Sequence, residues 1–272
     1  QVGDMMLSQD TTWTVAGSPY YVNGTVQIPQ GVTLTLSPGV TAIMSGGTFK
    51  LKGSFVASGV SENPISISGT SKDIGLFISG ADAKRGGGIG AGGQILINHT
   101  IIEKLGLLIT GGNLKVEIYD SELIEIGSVV DYSTPNLKLI ARRNVFQTVG
   151  SFESQGHPWE NIGGEGMEIS YNCFKDGPPR LDQTWSPVNP NRIIFNSIYG
   201  VSSDISSQVL RIIAGKDNIF DIDATQNYWD GLTEQDIEKL ILDKNDDISI
   251  DKEVKFLPML TEPHPDTPTC GN

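Results

Sequence analysis

The chain repeats itself. A polar residue, one residue of any kind and a large apolar residue recur as His99-Thr-Ile101, Ser121-Glu-Leu123, Asn144-Val-Phe146, Asn172-Cys-Phe174, Asn196-Ser-Ile198 and Asn218-Ile-Phe220, at steps of 22, 23, 28, 24 and 22 residues. Short apolar runs precede them: Ile95 to Ile97, Val116 to Ile118, Leu137 to Ile140, Met167 to Ile169, Ile193 to Phe195 and Leu210 to Ile213. A unit this short cannot bury its own apolar side, so it must stack on the next one, one solenoid coil per repeat. Leucine-rich repeats share the period, but their LxxLxLxxN register is missing and no apolar positions at helical spacing lie between the runs. The expectation is an all-β chain wound as a single right-handed parallel β-helix.

Stacking gives each column a physical task. Coils follow one another at strand spacing, about 4.8 Å, so equivalent residues become vertical neighbours. An Asn side chain both donates and accepts, so Asn144, Asn172, Asn196 and Asn218 are expected to form a hydrogen-bonded ladder at a bend. The apolar column, from Ile101 and Leu123 to Phe220, is expected to fill the interior. Both columns read as architecture.

The first third has the same texture: Val26 to Ile28, Val32 to Leu36, Val40 to Met44, Phe49 to Leu51, Phe55 to Ala57 and Ile65 to Ile67, separated by Pro, Gly and Asn turn residues. Open solenoid ends expose strand edges, so caps are expected. The whole chain, 1–272, reads as one domain with an N-terminal cap over 1–21, coils over 22–231 and a C-terminal cap and tail over 232–272. Within that last part Thr233 is a helix N-cap with Asp236 at its third position, followed by Ile237, Leu240 and Ile241 at helical spacing.

Charge narrows the partners. A formal net charge of −13 and a pI near 4.6 argue against nucleic acid. No apolar run is long enough to span a bilayer. The chain opens on Gln1 with no basic-then-apolar leader; a removed leader and a trimmed chain would both account for that start, and the first fits the expected extracellular location.

Three stretches carry a family resemblance: Asp10-Thr-Thr-Trp13-Thr with Ser18-Pro-Tyr-Tyr-Val22 and Gly31-Val-Thr-Leu-Thr-Leu36-Ser-Pro-Gly-Val40; the Asn-x-Phe coils; and Ala224-Thr-Gln-Asn227-Tyr-Trp229-Asp-Gly231 with Asp243-Lys-Asn-Asp-Asp247 and Val254-Lys-Phe-Leu-Pro258. They resemble the secreted right-handed parallel β-helix proteins of bacteria and archaea, related in fold to pectate lyases. The resemblance covers nearly the whole chain. It implies architecture and little about function, since the fold hosts lyases, epimerases, tailspikes, carbohydrate binders and adhesins.

Lyases of this fold generally use acidic Ca²⁺ ligands beside an Arg or Lys base. Here Arg142-Arg143 adjoin the Asn144 turn and Asp120 falls one coil earlier, without three acids on consecutive coils, so a solvated edge is expected. The coils swell elsewhere. An insertion over 150–166 contains His157, Trp159 and Glu160, and a second over 176–191 contains Arg180, Asp182 and Trp185. These loops should lie side by side and offer two Trp rings to a sugar, with polar neighbours fixing its orientation; the competing reading is that both Trp pack their own loops.

The glycine-rich stretch 80–93 lacks the GxxxxGK[ST] order of a phosphate loop. Asp243, Asn245 and Asp247 have the alternate spacing of Ca²⁺ ligands, but an EF-hand's Gly and final Glu are missing, so a turn is expected and no cofactor, with Ca²⁺ as the alternative. His157 and His264 have no Ser or Cys partner in a recognisable motif. Strand alternation between Asn172 and Phe174 turns Cys173 outward, and the dozen residues from Pro258 reach roughly 40 Å when extended, enough to bring Cys270 back over three coils. A Cys173–Cys270 disulfide is expected.

The function expected is a non-catalytic extracellular or cell-surface module for glycan binding, adhesion or structural assembly, its partner a polysaccharide or cell-surface glycan. The alternatives are a polysaccharide lyase acting on an acidic glycan and a self-associating subunit of a phage spike or extracellular filament.

Overall fold

The computed structural model describes residues 1–69, 75–79, 93–110, 114–130, 138–149, 159–162, 166–175, 181–185, 191–201, 212–214 and 220–270. They form a parallel β-helix with three faces. Every strand pairing is parallel, and the chain visits the faces in a fixed order. The first face stacks Thr11–Trp13, Thr33–Leu36, Ser54–Ser58, Gln94–Asn98, Lys115–Tyr119, Lys138–Arg142, Gly166–Ser170, Arg192–Ile194, Ile222–Asp223 and Val254–Lys255. The second runs from Tyr20–Val22 through Val145–Gln147, Cys173–Phe174 and Ser197–Ile198 to Tyr228–Trp229. The third runs from Met5–Met6 through Trp159–Ile162, Leu181–Trp185 and Ile212–Ala214 to Ile241–Leu242. Thr100–Thr110 and Glu122–Val130 serve the second and third faces as single strands, bent at Lys104 and Glu125 with φ of 58° and 53°.

The interior is apolar, aliphatic with stacked aromatic rings. Ile102, Leu123, Phe146, Phe174, Ile198 and Trp229 are register partners down the second face and all are buried. Phe146 and Phe174 stack 4.9 Å apart at 8°. Nearer the start, Phe49, Phe55 and Phe77 meet as offset and edge-on rings, the geometry the ring quadrupole prefers.

The corner from the first face to the second explains the polar column. His99, Asp120, Arg143, Tyr171, Phe195 and Gln226 all have φ between 43° and 59°. The left-handed residue turns the chain, and the next one, Thr100, Ser121, Asn144, Asn172, Asn196 or Asn227, points inward. Asn144 Nδ2 donates to Asn172 Oδ1, Asn172 Nδ2 to Asn196 Oδ1 and Asn196 Nδ2 to Asn227 Oδ1, each at 3.0 Å. Each Oδ1 also accepts the backbone N–H of the preceding rung, and the column continues to the amides of Ser121 and Thr100. Buried polar groups need such partners, and this ladder supplies them at each corner from Thr100 to Asn227.

Two rungs differ from the sequence expectation. Thr100 rather than His99 enters the ladder, which moves the apolar partner from Ile101 to Ile102, because His99 takes the left-handed turn. At the other end Asn227 follows Asn196, and Asn218 lies outside the described residues. Trp229 therefore replaces Phe220 in the apolar column. The coil from Asn196 to Asn227 is longer than a uniform step predicts, and Ile212–Ala214 belongs to the third face, not the first.

Segment 1–21 contributes strands Met5–Met6 and Thr11–Trp13, which pair with the following coil. The one α-helix among the described residues, Glu234–Glu238, opens with a capping box between Thr233 and Asp236 and buries Ile237. No helix among the described residues is long and apolar enough to cross a membrane.

Candidate functional site

Trp159 and Glu160 lie on Trp159–Ile162, and Asp182 and Trp185 on Leu181–Trp185; His157 and Arg180 lie outside the described residues. The segments expected as loops thus contribute strands to the third face, where they pair in parallel. Trp159 is opposite Leu181, Glu160 opposite Asp182 and Ile162 opposite Trp185, with a register break between Glu160 and Ile162. The two Trp backbones are neighbours on adjacent coils but not register partners, separated along the strands by about 10 Å at ordinary strand rise.

The arginines at the first corner tie coils together. Asp120 accepts two hydrogen bonds from Arg143, from Nε and Nη2, each 2.7 Å, while Arg142 Nε donates to Glu168 Oε1 at 2.8 Å. The hydrogen bond to Asp120 raises the Arg143 pKa above the ordinary guanidinium value, which removes it further from service as a base.

The same corner column turns aromatic toward the C-terminus. Tyr171 and Phe195 stack 5.0 Å apart at 11°, and the His264 ring meets both edge-on at 4.9 and 5.1 Å. His264 belongs to the tail, which first pairs as the next rung of the second face, with Gln226 N donating to Pro258 O and Leu260 N to Asn227 O. It then returns along the solenoid: Thr267 Oγ1 donates to Phe195 O, and Cys270 forms a disulfide with Cys173 across a sequence separation of 97 residues, with Cα atoms 5.6 Å apart. Cys173 alternates with inward Phe174 and lies outside the core cluster, yet it is buried.

A second aromatic pair occupies the outside of the second face. Tyr199 and Tyr228 sit on adjacent coils with centroids 5.7 Å apart at 61°. Tyr228 Oη donates to Asp230 Oδ1 at 3.0 Å. Burial raises both phenol pKa values first. The Asp230 carboxylate adds to this, by charge at Tyr199 and by hydrogen bond and charge at Tyr228. This group was missed in the sequence because Tyr199 and Tyr228 are neighbours only once the long last coil is placed. The available signal was positional: Tyr199 and Asp230 each follow a ladder Asn by three residues, and Tyr228 follows one directly.

Asp243, Asn245 and Asp247 form a turn. Asp243 is buried and its carboxylate accepts the N–H of Asn245 and of Val254, while Asp247 accepts that of Ser249. Among the described residues no three His, Cys, Asp or Glu are grouped to hold a metal. An open depression of about 560 Å³ lies between Glu234 and residues Leu257, Pro258, Met259, Leu260 and Thr261. Neither family models, curated proteins nor solved structures yield a match to the chain.

Proposed function

We propose that the protein is a non-catalytic β-helix module, secreted or held at a cell surface, that binds glycans and serves adhesion or assembly there. The supporting observation is the aromatic pair outside the solenoid on adjacent coils, Tyr199 with Tyr228. A packed interior has no need of them, and such rings meet the C–H face of a sugar while nearby polar groups orient it. The disulfide supports an oxidising compartment. Kinship with the pectate-lyase-like β-helix proteins belongs to the same proposal and rests on the architecture and the stretches quoted above.

A glycan array probed with and without Ca²⁺, together with an assay for unsaturated products on uronic-acid polymers, tests the reading. Retention on one glycan class without product formation is expected. Absence of retention across the array overturns glycan binding, and product absorbance overturns the non-catalytic assignment.

A further inference from the structure

We infer that Tyr199, Tyr228 and Asp230 form a subsite for an uncharged sugar ring. The inference rests on the glycan reading and specifies where the ring sits and what kind it is.

Of the two external aromatic pairs, Tyr171 and Phe195 already have an occupant, the His264 ring of the tail. Tyr199 and Tyr228 have no tail ring against them among the described residues, and both remain partly exposed. The two rings meet at 61°, the edge of one turned toward the face of the other, and present their remaining surface on the outside of the second face. Asp230 stands in the column of Tyr199, one coil on, since Tyr199 N donates to Phe174 O and Asp230 N to Ile198 O. Its carboxylate receives the Tyr228 hydroxyl, and two carboxylate oxygens have lone pairs beyond the one so used, enough for sugar hydroxyls.

Charge selects the ring. Lys175, one coil before Tyr199, is the cation of that column and lies on the side away from Asp230. A uronic acid would set its own carboxylate against Asp230 on a chain of net charge −13, whereas a neutral hexose brings only hydroxyls.

Affinity electrophoresis of the full chain through gels containing a neutral β-glucan, a neutral mannan or polygalacturonate tests this. Retardation is expected in a neutral gel and not in polygalacturonate. Tyr199→Ala with Tyr228→Ala should weaken binding about tenfold, the worth of losing one to two ring contacts. Asp230→Ala, at an exposed position, should also weaken it, and it decides the matter if the double variant fails to fold. Retardation by polygalacturonate alone overturns the uncharged-ring assignment while glycan binding stands. Neutral-gel retardation unchanged in these variants overturns the subsite while glycan binding stands. Retardation by no polymer, with no hit on the array, overturns both.

Discussion

Asn172 is held by more hydrogen bonds than its size suggests. Its amide receives the Asn144 N–H and Nδ2 and donates to Ala141 O and Asn196 Oδ1. Asn172→Ala strands several buried groups at once, at about 1–3 kcal/mol each, and should lower the free energy of unfolding by about 3–5 kcal/mol in chemical denaturation. Phe174→Ala, two residues on, should cost a similar amount through lost burial and the cavity left in the ring stack. Asp236 predicts a pH effect. Hydrogen bonds from Thr233, side chain first, hold its carboxyl below the ordinary carboxylate range. Its folded value is thus lower than its unfolded one, so its contribution is complete above the ordinary range and disappears as the pH falls through the depressed value. Protection of the Glu234–Glu238 amides, taken relative to the unstructured rate at each pH, should fall there in the native chain, and Asp236→Asn should remove that acid step; the same step in the variant would exclude the capping box as its source.

The tail is the element whose behaviour can be separated from the rest. It contributes no rung to the ladder, and its anchors are the Cys173–Cys270 bond, the Thr267 and Leu260 hydrogen bonds and the His264 ring. A loop of this length contributes about 4–5 kcal/mol by chain entropy. Dithiothreitol or Cys270→Ser should lower stability toward that extent and speed exchange at the Leu260 and Gln226 amides, while the β-sheet circular dichroism stays. Loss of the sheet signal would show that the tail holds the coils together. Gly127 shows how closely the long strands approach each other: an added Cβ would clash with the Gly106 carbonyl one coil away. What the sequence reveals at this scale follows from local chemistry. Alternating β-branched runs, turn residues and the Thr233 cap marked strands and helix within a few residues of their observed bounds. Coil length has no local signature, so extrapolating a uniform step from Asn196 reached Asn218 and missed Asn227 and the tyrosine pair. His99 misled for a related reason, since a polar residue fits both the left-handed turn and the rung after it.

For the whole molecule, each coil is bonded only to the coils beside it, so stability accumulates from neighbour to neighbour along the axis. Amides of Ile95, Ile97, Val116, Ile118 and Leu139, flanked by coils on both sides, should exchange more slowly than those of Met5–Met6 or Val254–Lys255. Uniform protection from end to end would contradict a solenoid built this way. The ladder also governs how the protein ages. Asparagine deamidates when the backbone nitrogen of the following residue attacks the asparagine side-chain carbonyl and expels ammonia, leaving a succinimide that water opens. At Asn144, Asn172 and Asn196 that nitrogen, of Val145, Cys173 and Ser197 respectively, is hydrogen-bonded into the preceding coil while the amide is locked between its neighbours. Conversion to aspartate should therefore begin at Asn23, which Gly24 follows, and leave the inner column intact for as long as the coils remain wound.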